Sequence, residues 1–264
     1  MTAEQLAPAD FASAPGAAPM PKMIAAQAAL ETRTLLRNGE QLTLTLVIPL
    51  LLLAAFSLEN LVSFGVPISR IDFLTPGVMA LAVMSTAFTS QAIATGFERR
   101  YGVLKRLGAT PLSRRGLIAA KTLTVLVVEV LQAIVIVVVA LPLGWHPHGG
   151  PAAFAWALLL MVAGTAAFSG LALLMAGTLR AEATLAAANL VYLVMLGIGG
   201  IVFPLTKFPA GAQGALKLLP AGALSDGLRS VLQYGGGLPA RDLLVLTVWA
   251  AAGIALAVRT FRWE

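Results

Sequence analysis

The chain has 264 residues, of which 58% are hydrophobic and only 11% charged, against roughly 25% charged residues in soluble globular domains. A mean hydropathy of +0.87 excludes an ordinary soluble enzyme and indicates an all-α integral membrane protein. In that setting a net charge of +6 marks basic cytoplasmic loops facing anionic lipid, not a nucleic-acid surface. Cysteine is absent, which removes disulfides and thiolate metal sites.

Residues 1–21 are rich in Ala and Pro and lack a basic stretch running straight into an apolar one. They are expected to form a disordered cytoplasmic tail and not a cleaved leader. Residues 22–40 follow, with KMIAAQAALETRTLLR at 22–37 setting Met23, Ile24, Leu30 and Leu35 apart from Lys22, Glu31, Arg33 and Arg37. This pattern fits an amphipathic interfacial helix on the cytoplasmic leaflet and equally a solvated juxtamembrane helix.

A transmembrane domain is expected over 41–258, since about 20 apolar residues cross a bilayer. Six stretches meet or approach that length: 41–58, 73–96, 116–143, 152–179, 184–203 and 242–258. Two connections are long, 97–115 and 204–241. With the N-terminus inside, thirteen of the 18 lysines and arginines fall on one face and five on the other. That asymmetry puts both termini, including the 259–264 tail, in the cytoplasm. Segment 204–241 is too polar to span and is broken by Pro204, Pro209, Pro220 and Pro239. Two short helices dipping into the outer leaflet suit it, because irregular backbone at that depth must be buried in protein.

Catalytic and metal chemistry lack the residues they need. The two histidines, His146 and His148, share one outer loop, and two ring nitrogens without further ligands do not make a zinc site. Ser169 has no histidine on a later span to act as its base. The run Gly116 to Thr122 lacks the glycine of a phosphate loop before Lys121 and opens a membrane helix instead of following a strand. Glu129 stands about 20 Å into the third span, where a carboxylate is costly and marks a functional or a packing role. Gln91, Thr89 and Asn189 are its candidate partners. Small residues at Gly164, Ala167, Gly170 and Gly177, and at Gly197, Gly199 and Gly200, predict close helix–helix contact within the subunit or across a dimer.

The densest charge lies in FERRYGVLKRLGATPLSRR, residues 97–115. An amphipathic helix is predicted from about Glu98 to Leu107, with leucines on one side, basic groups on the other, and Gly108 near its end. Such a helix suits docking into a partner's groove, while topology alone also accounts for its positive charge.

Residues 98–114 closely resemble the signature of ABC type-2 transporter permeases, roughly E-R-E-x-G-T-L-x-x-L-x-x-T-P-L-S-R. Glu98, Arg99, Gly102, Leu104, Leu107, Thr110, Pro111, Leu112, Ser113 and Arg114 match it; Arg100 and Val103 depart from it. Phe203, Pro204, Leu205, Pro209 and the run from Pro220 through Asp226 to Arg229 are similar to a second family stretch, with Gly222 and Ala223 departing. The resemblance implies a cytoplasmic coupling helix between spans 2 and 3, in which Glu98, Arg99, Arg100, Gly102, Leu104, Arg106, Leu107, Thr110, Pro111 and Leu112 receive the motion of an ATPase. It implies outer re-entrant helices between spans 5 and 6 that carry Phe203, Pro204, Pro220, Asp226 and Arg229.

It further implies a permease without a cofactor of its own, whose ATP and Mg sit on a separate cytosolic ABC ATPase subunit. A second permease copy, identical or similar, completes the complex in the inner (plasma) membrane. The substrate expected is hydrophobic or lipid-like, a drug, or a glycan precursor, moved out of the cytoplasm. Two other functions stay open on the sequence: a proton-coupled secondary transporter using Glu129, and a membrane scaffold.

Overall fold

In the computed structural model the described residues are 16–58 and 69–260. Most of the expected N-terminal tail, the link at 59–68 and the last four residues lie outside them. The described chain is helical. Helix α1 covers Met20–Arg37 and α2 covers Gly39–Leu58. A continuous 31-residue helix, Arg70–Arg100, consists of α3 (Arg70–Val83), a π-helical segment (Met84–Ser90) and α4 (Gln91–Arg100). Short α5 (Val103–Gly108) precedes α6 (Arg114–Ala140), α7 (Gly150–Thr178) and α8 (Ala181–Ile198). Helices α9 (Ala210–Leu216), α10 (Pro220–Leu232) and α11 (Ala240–Thr260) complete the order.

Among the described residues five helices are long and apolar enough to cross a membrane: Arg70–Arg100, α6, α7, α8 and α11. In α2 the apolar stretch is shorter, Leu46–Ala55. The Arg70–Arg100 helix is the axle of the bundle, and every residue from Ile71 to Val83 is buried. It lies against α2, α6, α7, α8 and α10. From Ile71 to Val83, where every side of it meets protein, it reads as a mostly apolar run without an amphipathic stripe.

Helices α7 and α11 make the closest pair. A Cβ on Gly170 would stand 2.8 Å from the Ile254 backbone nitrogen, and one on Gly253 3.1 Å from the Gly170 carbonyl carbon. Only glycine lets the two backbones approach so closely. Gly164 serves differently, receiving the Leu224 side chain of α10. Around Gly197 nothing lies within 4 Å of an ideal Cβ in this chain, so the close contact expected there is not one within the subunit.

The two long connections close opposite ends of the bundle. Phe73 and Arg100 mark those ends, about 40 Å apart at 1.5 Å per residue. At the Phe73 end, Ser69 accepts from Asp72 N, and Asp72 Oδ1 accepts from His146 N at 2.9 Å. His148 N donates to Leu232 O. The loop that carries both histidines is thus tied to α3 and α10 through its backbone, and no metal-holding cluster occurs among the described residues.

Candidate functional site: the junction around Glu98, Lys121 and the short helix α5

Helix α4 keeps its turn through Glu98, Arg99 and Arg100. The expected helix from Glu98 to Leu107 is therefore two pieces. The first belongs to the long axle helix, and the chain breaks at Tyr101–Gly102 before α5 begins at Val103. The break is local chemistry. Gly102 has φ +74° and ψ 11°, a left-handed conformation that costs residues with a Cβ about 1–2 kcal/mol. At the far end Thr110 Oγ1 donates to Leu107 O at 2.6 Å. Ser113 then caps α6 by accepting from Gly116 N at 3.1 Å, which satisfies one of the amides that a helix start leaves open.

The leucines of this stretch face inward, on the side of α5 away from its exposed basic groups. Leu104 is fully buried, with Leu112 and Leu117, in a cluster completed by Met20, Met23, Ile24 and Leu107. Gly116 gives this cluster room: a Cβ there would meet Leu112 Cδ1 at 2.8 Å and Met20 Sδ at 3.0 Å. So α5 is pinned onto α1 and the start of α6. Tyr101, Val103, Lys105, Arg106, Thr110 and Pro111 remain exposed, Tyr101 at 69%.

A charged clamp lies beneath α5. Lys121 of α6 is buried and reaches Glu98 at 2.6 Å and Glu31 at 3.3 Å. Gln27 Nε2 donates to Glu31 Oε1 at 2.8 Å, and Thr124 Oγ1 donates to Ala28 O at 3.2 Å. One lysine therefore joins α1, α4 and α6, with its charge met by two carboxylates as burial demands. Arg99 donates to Leu179 O, and Arg100 pairs with Glu182, which carries the connection on to the α7–α8 corner. Gly96 lets α4 lie against α8, its ideal Cβ falling 3.4 Å from Thr184. The structure thus brings together Glu98, Arg99, Arg100, Gly102, Leu104, Leu107, Thr110, Pro111 and Leu112, with Arg106 on the outer face. Sequence reasoning missed Lys121 and Glu31. Lys121 carried one signal, a lone cation inside an apolar helix.

Between α1, α4 and α6 lies a cavity of about 440 Å³. Leu30, Leu35, Phe97, Val125 and Val128 line its walls, and Glu31, Glu98 and Lys121 line its polar end. Gln91 and Thr95 also border it and are buried.

Glu129 sits deeper and apart from this junction. Thr165 Oγ1 of α7 donates to it, so its described partner is none of the three expected. Asn189 donates instead to Leu185 O. One turn beyond Glu129, Gln132 accepts from Thr86 at 3.0 Å, within the π segment.

At the opposite end Arg229 is buried. It donates to Phe73 O at 3.3 Å, to Ile201 O at 2.8 Å and to Gly200 O, with its guanidinium carbon 3.9 Å above the Phe73 ring. Burial lowers this guanidinium to about 10, and it stays a cation at neutral pH. Asp226 pairs with Lys217 at 3.1 Å, Pro220 is buried at the start of α10, Pro204 precedes the turn Leu205–Lys207, and Phe203 is 44% exposed. Arg229 therefore fastens α10 to the start of α3 and the loop after α8.

Residues 26–232 match the family model of the ABC-2 type transporter. The chain belongs to the ABC-2 type transporter family. The match spans both the α5 junction and the Arg229 cluster. Membership makes it a multi-pass membrane protein and the permease component of an ABC transporter, a type of subunit that usually has no nucleotide-binding site and works with an ABC ATPase. No match is found among curated proteins.

Proposed function

We propose that this chain is the permease subunit of an ATP-driven exporter, and that the surface of α5 and its flanking turns receives the ATPase. One observation carries this: a six-residue helix is anchored by buried Leu104 and partly buried Leu107, leaves Lys105 and Arg106 exposed, and is flanked by turns in which Tyr101 and Pro111 are exposed. A loop needed only for topology has no use for such an anchor. Force on α5 passes to the axle helix through Glu98, to α1 and α6 through Lys121, and to α7 and α8 through Arg99 and Arg100. With twelve of the 17 described lysines and arginines assigned to this side, the α5 end faces the cytoplasm, as do both termini, of a protein in the plasma (inner) membrane.

In this reading α2 is the first of six spans, shorter in apolar length than the others. Helices α9 and α10 re-enter the outer leaflet and cap the path, with Arg229 as their fastening. A second copy of the chain, or a similar one, supplies the other half of the translocation pathway. ATP and Mg belong to the ATPase, and neither metal nor cofactor resides in this chain. The substrate is an amphiphile of the drug, lipid or lipid-linked glycan kind, suited to the apolar walls and polar end of the 440 Å³ cavity.

The test is reconstitution with the ATPase subunit in vesicles. ATP-dependent export that falls at least tenfold in Glu98→Gln and Arg106→Glu supports the assignment. Failure to bind any ATPase subunit, or full transport by both variants, rejects it.

A further inference from the structure

A second groove runs along the α5-side half of the bundle, on the opposite side of α6 from Lys121. It measures about 840 Å³ and lies between α1, α6 and α11. Ile24, Ile118, Leu126, Ile254 and Val258 line it, and the small side chains of Ala119 and Ala255 leave room along it. The ionisable groups that border it are Arg115 and Arg259. Both are exposed, and neither has an ion pair among the described residues.

The charge there is uncompensated in a second way. Arg115 occupies the first turn of α6, and that turn contains no acid. A helix start favours anions, and two arginines in its first turn, Arg114 and Arg115, add to its positive potential. Arg259 stands in the last turn of α11 and borders the same groove. The α6 and α11 walls belong to spanning helices, so they lie in hydrocarbon while the arginines lie at the headgroup level.

We propose that this groove holds an anionic glycerophospholipid, its phosphate between Arg115 and Arg259 and an acyl chain along the alanine-lined wall. A free anion would meet the arginines and leave the apolar walls empty. A zwitterionic lipid would fill the walls and leave net positive charge at the mouth. An anionic lipid satisfies both. The lipid joins α1, which bears the clamp residue Glu31, to α6 and α11, so the leaflet's charge bears on how firmly the α5 junction is held.

The test uses the full chain purified in detergent and exchanged against phosphatidylglycerol, phosphatidylcholine or inorganic phosphate, read by native mass spectrometry and thermal unfolding. One retained phosphatidylglycerol is expected, preferred over phosphatidylcholine by about thirtyfold for two basic groups. The preference disappears in Arg115→Gln/Arg259→Gln and survives in Arg115→Lys/Arg259→Lys. Ala255→Trp keeps both cations but fills the groove, and it lowers retention by a similar factor without changing the unfolding temperature of the lipid-free protein. Equal retention of the two lipids by the unsubstituted chain overturns the proposal. So does stabilisation fully reproduced by inorganic phosphate, undiminished preference in the glutamine pair, or normal retention by Ala255→Trp.

Discussion

Gly102 and Lys121 govern the α5 junction in different ways. Around Gly102 nothing lies within 4 Å of an ideal Cβ, so replacing it tests the backbone alone. Gly102→Ala is expected to cost about 1–2 kcal/mol and to weaken ATPase co-purification, with Gly102→Asn milder because Asn tolerates the left-handed region. For Lys121→Met the loss is electrostatic: Glu98 and Glu31 are left without their shared cation, at a cost of about 3 kcal/mol. Thermal unfolding in detergent reads it, and Lys121→Met/Glu98→Gln should lose less than the sum of the two single changes. The signature residues around Gly102 were visible as a motif, though the positive φ that requires glycine was not. Lys121 was less legible still. Its partners Glu31 and Glu98 lie 90 and 23 positions away, and no local spacing reports such a meeting.

Among the elements, the long spans could be read from apolar length because a helix within a bilayer must be apolar for about 20 residues whatever its neighbours. Helix ends were harder. FERRYGVLKRL is a run of helix formers with one glycine in it, and only the geometry at Gly102 shows that the axle helix stops there and α5 starts anew. The inward turn of Leu104 and Leu112 was also hidden, since its cause is α1, which covers them with Met20, Met23 and Ile24. Small residues did point to packing, but they could not say which glycine meets which. Gly170→Leu is expected to separate α7 from α11, because the new side chain meets backbone at 2.8 Å that cannot rotate away. Loss of a monodisperse peak in size-exclusion chromatography would show it. For Glu129 we propose a packing role between α6 and α7, supported by the Thr165 hydroxyl that donates to it. Glu129→Gln should therefore leave ATP-driven transport within about twofold, whereas a proton-coupled carrier would lose gradient-driven uptake.

The whole molecule is a lever with two fastened ends. Arg229 holds one end through Phe73, Gly200 and Ile201, and the Lys121 clamp holds the other. The buried axle helix Arg70–Arg100 joins them. In the proposed function, motion delivered at α5 would travel along this packed helix, in which the π segment Met84–Ser90 is the one departure from the α-helical hydrogen-bond ladder among its described residues. The central claim is that the exposed face of α5 contacts the ATPase, and the chain's lack of cysteine makes site-specific cross-linking clean. Single substitutions Tyr101→Cys, Arg106→Cys and Pro111→Cys, with Tyr234→Cys as the control at the Arg229 end, can each be treated with a bifunctional maleimide in vesicles that contain the ATPase subunit. Cross-links to the ATPase from the first three positions and none from Tyr234→Cys are predicted. Absence of cross-links at all three, or capture of the ATPase from Tyr234→Cys, would contradict the account.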